Sequence, residues 1–283
     1  MASPRITPQD ITVTPRDIRF DTHAVGQGAW LGGDVIGTAV FNALSLTFPD
    51  GERLFMDAVR HYRPKLSGKL LDDAKGFIAQ EAIHSREHVA MNGGLDRNHY
   101  PLAKIEAQLK DRIKFVRSKG PMAMLGATIA LEHFTSMMAD SFMRDQDLFE
   151  NTDPGMKRLW QWHALEETEH KAVAFDVFQE VTKDWTPLRR YRLRVRVMVL
   201  ISILFTRNIT RYASALLAAD GMNPRVARAK VLWFLFGTPG LFRRCASEYW
   251  AWYRPGFHPW DHDNRQRLEG WRAEFTVSPL AAE

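Results

Sequence analysis

Apolar residues recur at three- and four-residue steps along most of this chain, and the strict alternation expected of half-buried strands is scarce. That pattern predicts an all-α protein. A first helix covers about 35–62, and Pro49 inside it predicts a break, because proline lacks a backbone donor and clashes with the preceding turn. A second runs about 66–91 and stops at Asn92-Gly93-Gly94, in the manner of a helix C-terminus. A shorter amphipathic segment follows at about 101–118, then two long ones at about 121–149 and 154–183, each opened by a proline suited to a first helical turn. Residues 1–33 are rich in Pro, Gly, Thr and Asp without periodicity, which predicts an irregular arm lying over the domain. The expected organisation is this arm, a four-helix bundle over 34–185, and a helical extension over 186–283 packed on the bundle in the same globular unit.

The extension contains two apolar stretches. VMVLISILF (197–205) is nine residues long between Arg196 and Arg207, whereas a spanning helix needs roughly 20. VLWFLFGTPGLF (231–242) is interrupted by Gly237-Thr238-Pro239-Gly240. A transmembrane helix is not expected; helices that pack on the bundle or touch a membrane interface are.

Charge separates the two parts. Residues 183–283 carry 17 Lys and Arg against 8 Asp and Glu, leaving 21 against 25 for the rest of the 283-residue chain, and six of the nine tryptophans lie in the basic part. A basic, aromatic-rich surface suits an anionic membrane or an acidic ligand as well as a solvated face over a core. No nucleic-acid-binding role is expected. The single cysteine, Cys245, excludes an internal disulfide framework, a multi-cysteine zinc site and a cysteine-held iron–sulfur cluster. Together with an N-terminus that lacks a secretory signal pattern, this points to the cytoplasm. Glycine-rich phosphate loops and the Gly-x-Ser-x-Gly elbow do not occur.

The chemistry lies in a two-fold echo. Glu81-Ala-Ile-His84 and Glu167-Thr-Glu-His170 are Glu-x-x-His pairs on the second and the last of the bundle helices. At three residues apart, about 300° around a helix, each pair projects from one face. The helix before each pair holds a glutamate in an apolar setting, Glu52 in GERLFMDAV and Glu132 in ATIALEHFT, at hairpin distance from its partner. Four inward carboxylates and two imidazoles form the ligand set of ferritin-like di-iron and di-manganese bundles. Burying four carboxylates without cations would be costly, so the expected site is dinuclear, with two metal ions, iron first and manganese or zinc as alternatives. His163 and His88 lie four residues from Glu167 and His84 on the same stripes, as added ligands or as donors behind them.

The glutamate in His84-Ser-Arg-Glu87-His88 sits beside the second histidine, which excludes the zinc-protease pattern. Glu87, Glu166 and Glu169 point away from the ligand stripes, toward solvent or the ligands' outer side. His133 is expected in the core or behind Glu132, and Cys245 as a small core residue. The Met- and aromatic-rich stripe of 122–142 reads as bundle core, with an apolar substrate pocket as the alternative.

FPDGE (48–52), FIAQEAIHSREH (77–88), LEHFT (131–135), WHALEETEHKAVAFDVF (162–178) and YRPGFHPWD (253–261) resemble a bacterial family catalogued as predicted metal-dependent hydrolases, over about residues 10–275. His163-x-x-x-Glu167-x-x-His170 is also locally similar to the ligand run of di-iron arylamine N-oxygenases, which use a third histidine. Three chemistries follow. The sequence reading favours a di-iron enzyme that activates O2 to oxidise an organic, apolar substrate. The resemblance implies hydrolysis through a metal-bridged water instead. A ferroxidase or iron-binding role is the third. The extension is expected to shape a lipophilic entrance, with peripheral membrane contact, and the surface leaves room for a homodimer.

Overall fold

The computed structural model describes residues 6–275, so both ends of the expected arm and extension (1–5 and 276–283) lie outside the described residues. The described residues are all-α, without strands: α1 (Val35–Tyr62), α2 (Gly68–Gly93), α3 (Leu102–Ser118), α4 (Pro121–Arg144), α5 (Pro154–His170), α6 (Val173–Val181), α7 (Pro187–Ala219), α8 (Pro224–Phe236), α9 (Leu241–Arg244), α10 (Ala246–Ala251) and α11 (Arg265–Glu274). Local chemistry sets several starts. Asp153, Thr186 and Asn223 each cap a helix whose first residue is proline, accepting from the backbone N–H of Met156, Arg189 and Arg225.

The α1–α2 and α4–α5 pairs pack on each other through α1 against α4 and α2 against α5, while α3 crosses between the pairs. This arrangement fits the ferritin-like expectation. Helix α7 lies across α1 and α4, and α8 rests on α7 and α1. One hydrophobic cluster runs from Ala24 and Trp30 in the arm through Phe41, Leu125 and Leu159 to Met198, Leu235 and Trp252, so arm, bundle and extension share a core.

Two boundaries differ from expectation, both beside the site. Helix α1 runs unbroken through Pro49. The missing Pro49 N–H would have bonded the carbonyl of Ser45; the Asn92 side-chain amide of α2 donates to that oxygen instead, at 3.0 Å. The segment 154–183 is in turn divided at Lys171-Ala172, directly after His170. At this interruption the buried Lys171 ammonium bonds the His262 carbonyl and the Asn264 side chain of the C-terminal loop, both at 2.8 Å.

The arm lies close on the bundle because two glycines permit it. A Cβ on Gly76 would stand 2.5 Å from the Val13 carbonyl oxygen, and one on Gly155 would stand 2.1 Å from that of Asp21.

Candidate metal centre

Helix α1 supplies Glu52, α2 supplies Glu81 and His84, α4 supplies Glu132, and α5 supplies His163, Glu167 and His170; all seven are buried. Their donor atoms converge. Glu81, Glu132 and His170 present atoms within 4.8 Å of one another, and so do Glu52, Glu81 and His84, and again His84, His163 and Glu167. The His170 Nε2 atom lies 3.2 Å from Glu81 Oε1, 3.3 Å from Glu132 Oε2 and 3.4 Å from Glu167 Oε2. The other Glu167 oxygen, Oε1, lies 3.0 Å from His163 Nε2 and 3.9 Å from His84 Nδ1. The glutamates of the two Glu-x-x-His pairs therefore stand between two donor groups. Glu132 joins the His170 side and Glu52 the side of His84 and His163.

The electrostatics of this cluster call for cations. Both oxygens of Glu52, Glu81 and Glu132, Oε2 of Glu167, Nδ1 of His84 and Nε2 of His170 have no hydrogen-bond partner. Burial, reinforced by neighbouring carboxylates, pushes Glu52, Glu81 and Glu132 well above the usual carboxylate range. Burial also opposes ionisation of Glu167, yet His170 and His163 together hold it well below that range. His84 is driven well below the ordinary imidazole value by burial and by the adjacent His163 ring. Orphaned carboxylate oxygens facing unpaired imidazole nitrogens repel as lone pairs unless a proton or a metal lies between them. The donor set thus fits divalent metal ions, with oxygen and imidazole nitrogen donors suited to iron, manganese or zinc.

The outer contacts fix each imidazole. His170 Nδ1 donates to Gln80 Oε1 at 2.9 Å, and the Gln80 amide donates to Glu169 at 2.9 Å and to the Thr14 carbonyl at 3.2 Å. That tautomer leaves the Nε2 lone pair toward the carboxylates, as ligation requires. His84 Nε2 meets Glu166 Oε2 at 3.1 Å, which leaves Nδ1 facing Glu167. Burial raises Glu166 to about 8 against the pull of Arg16. Arg16, from the arm, holds both outer carboxylates: its guanidinium lies 3.2 Å from Glu166 and 2.7 Å from Glu169.

His163 Nδ1 meets His88 Nε2 at 2.7 Å, and His88 Nδ1 meets the Ser45 hydroxyl at 2.9 Å. One His88 nitrogen also comes within 4.8 Å of Glu52 and His163 donors, so His88 belongs to a candidate donor group as well as contacting His163 and Ser45.

Glu87, Glu166 and Glu169 are buried rather than solvated. Glu87 accepts from Arg19, Arg86 and the Phe20 backbone, so each of the three acids meets a residue of the arm, while Glu166 also meets His84. His133 stands apart in the core, bonded to the Glu248 carbonyl at 3.1 Å and against the Trp252 ring. Cys245 is buried, and burial pushes its thiol up to about 12. The α4 stripe divides. Thr135, Met138, Ala139 and Phe142 line a cavity of about 10 Å³ at His163 and Glu167, whereas Phe134 and Met137 line a groove of about 1080 Å³ on another side of the helix. Sequence reasoning missed Arg16, Ser45, Gln80 and Asn92; of these, only Gln80, adjacent to Glu81, carried a positional signal.

Residues 14–263 match the family described as predicted metal-dependent hydrolase, and the chain belongs to that family. No curated protein and no solved structure matches it significantly. The family supports a metal-dependent enzyme, and its description backs the hydrolytic alternative rather than the oxidative chemistry that the sequence reading favoured.

Proposed function

We propose that this chain is a dinuclear metal-dependent hydrolase whose ions are held by Glu52, Glu81, His84, Glu132, His163, Glu167 and His170. The observation that carries the reading is the set of unpartnered oxygen and nitrogen atoms that four helices aim at one buried point. Two bound ions supply a water acidified toward neutral pH and polarise an ester, amide or phosphate oxygen. The chain's own residues do the rest. Glu81 and Glu167 stand between the two donor groups and fix their separation, while Glu52 and Glu132 complete one side each. Gln80 and Glu166 set the tautomers of His170 and His84. The His163–His88–Ser45 line orients the His163 ring through a neutral His88, which burial and His163 keep well below the ordinary imidazole value.

The test is turnover of nitrophenyl esters and phosphates under argon by protein loaded with Fe(II), Mn(II) or Zn(II). Metal-dependent release that disappears in Glu81→Gln supports hydrolysis; no release with any of the three metals overturns it.

One observation favours a second reading. Four carboxylates and three imidazoles are a donor set suited to iron, and a small, mostly apolar cavity adjoins His163 and Glu167. In that reading the protein is a di-iron oxidase or oxygenase. Oxygen uptake by Fe(II)-loaded protein, stoichiometric with iron and absent from the zinc form, separates it from hydrolysis.

A further inference from the structure

A large concavity lies away from the candidate metal centre. Helices α7, α8, α9 and α10, together with α4, enclose a groove of about 1080 Å³, just above the ~300–1,000 Å³ usual for small-molecule sites. Its floor is apolar, built around Phe134, Phe242 and Tyr249, whose rings stand about 6 Å from one another through Phe134. Its rim exposes apolar surface that a folded chain usually hides: Ile203 is 60% exposed, Phe236 50% and Trp250 67%.

The charge around this groove has one sign. Arg207, Arg211, Arg228 and Arg243 line it, while no aspartate or glutamate does. All four arginines are exposed, and none forms a hydrogen bond or ion pair among the described residues, although most other arginines here are paired. Arg207 and Arg211 are one turn apart on α7 and share a face. Thr210 between them lines the groove as well; it is 6% exposed and its hydroxyl has no partner. An apolar trough edged by unpaired guanidinium groups and a spare hydroxyl complements a molecule with a long hydrocarbon chain and an anionic head.

We infer that the groove between α7, α8 and α10 is a binding site for a single-chain anionic amphiphile of the fatty-acid class. The hydrocarbon chain lies on the Phe134, Phe242 and Tyr249 floor, and the carboxylate meets the arginines and Thr210. The inference stands on the groove alone and does not depend on the chemistry of the metal centre.

The full-length protein is titrated with a dansylated undecanoic acid, whose fluorescence rises in an apolar site, and the probe is then competed with palmitate or hexadecanol. Saturable binding of one probe per chain is expected, with palmitate displacing it at least tenfold more effectively than the neutral alcohol. The double variant Arg207→Glu with Arg211→Glu weakens binding tenfold or more, and Ala215→Trp, which fills the trough, does the same without altering charge. Metal content and helical circular dichroism are measured alongside, so loss of binding with both intact reports the groove and not the fold or the metal centre. Absence of saturable probe binding by the wild type overturns the inference, as does binding that ignores both variants. Binding only to phosphatidylserine vesicles would overturn it in favour of a membrane-facing surface, and a dimer that occludes the groove would overturn it in favour of a second copy of the chain.

Discussion

His163 Nδ1 lies 2.7 Å from His88 Nε2, while the other nitrogen of His163 lies 3.0 Å from Glu167. His88 in turn meets Ser45, whose hydroxyl donates to Asn92 Oδ1 at 2.7 Å. The hydroxyl that orients this line thus belongs to the same residue whose carbonyl receives the Asn92 amide where Pro49 interrupts the α1 ladder. One pair of side chains, Ser45 and Asn92, maintains the helix through a proline and anchors the histidine line that leads to the metal centre.

If His88 orients His163 without ligating, His88→Phe leaves two metal ions per chain but weakens their hold. The usual cost of losing such a partner is about 10–100-fold in metal affinity. Competition against a chromogenic chelator reads that change. His163→Ala removes a ligand, and the stoichiometry itself is expected to fall. Affinity in the His88 variant equal to the wild type would show that the contact does not tune the metal.

Glu81 and Glu167 stand between the two donor groups, so Glu81→Gln and Glu167→Gln are expected to disable both positions together. Elemental analysis after anaerobic iron loading should find well under half of the wild-type metal in either variant. His99→Ala is the comparison. His99 is exposed and pairs with Asp220 at 2.8 Å, and its loss should leave metal content unchanged. Full loading of both glutamine variants would refute the site.

The convergence of these glutamates and histidines was legible because a helix has a fixed period. A glutamate and a histidine three apart must share a face, and two such pairs, each with a glutamate at hairpin distance upstream, already describe a four-helix centre. What surrounds the ligands was not legible, because it arrives through tertiary contact. Arg16 lies in a segment without periodicity and reaches Glu166 across 150 residues; Asn92 reads as part of a helix stop, yet it repairs the helix around Pro49 from 47 residues away. Glu166 and Glu169 lie outside the converging donor cluster, Glu166 against the outer nitrogen of His84, but the sequence could not show that the arm would cover them. The end of α5 directly after His170 likewise depends on Lys171 finding His262 and Asn264 in the C-terminal loop.

The arm carries a stability prediction. Arg16 is 9% exposed and holds two acids sealed from water: Glu169 as an ion pair, shared with Arg272, and Glu166, which burial raises to about 8, as a hydrogen-bond acceptor. Breaking a buried charge network by removing one partner typically costs about 3–5 kcal/mol, because the remaining charge is left uncompensated. Arg16→Met should destabilise the protein by about that much in urea. Arg19→Met is expected to cost under about 1 kcal/mol, since the Arg19 side chain is 69% exposed where it meets Glu87. Equal losses in the two variants would mean that the arm acts by packing alone.

Metal loading should also change how stability responds to pH. In the metal-free fold, burial and mutual repulsion hold Glu52, Glu81 and Glu132 well above the carboxylate value near about 4.3 of an unfolded chain. The metal-free folded state therefore keeps protons that the unfolded state has already released. The contribution of these groups to stability is fully present below about pH 4.3 and is lost as pH rises toward the raised folded values. Bound cations displace those protons and remove the penalty, so loading releases protons and grows more favourable with pH. Thermal unfolding of chelator-treated and metal-loaded protein between about pH 5 and pH 8 reads this as the gap between the two melting temperatures. That gap should widen with pH, and Glu132→Gln, which removes one of the displaced protons, should flatten its slope. A gap that stays constant or narrows would mean that the carboxylates do not exchange protons for metal.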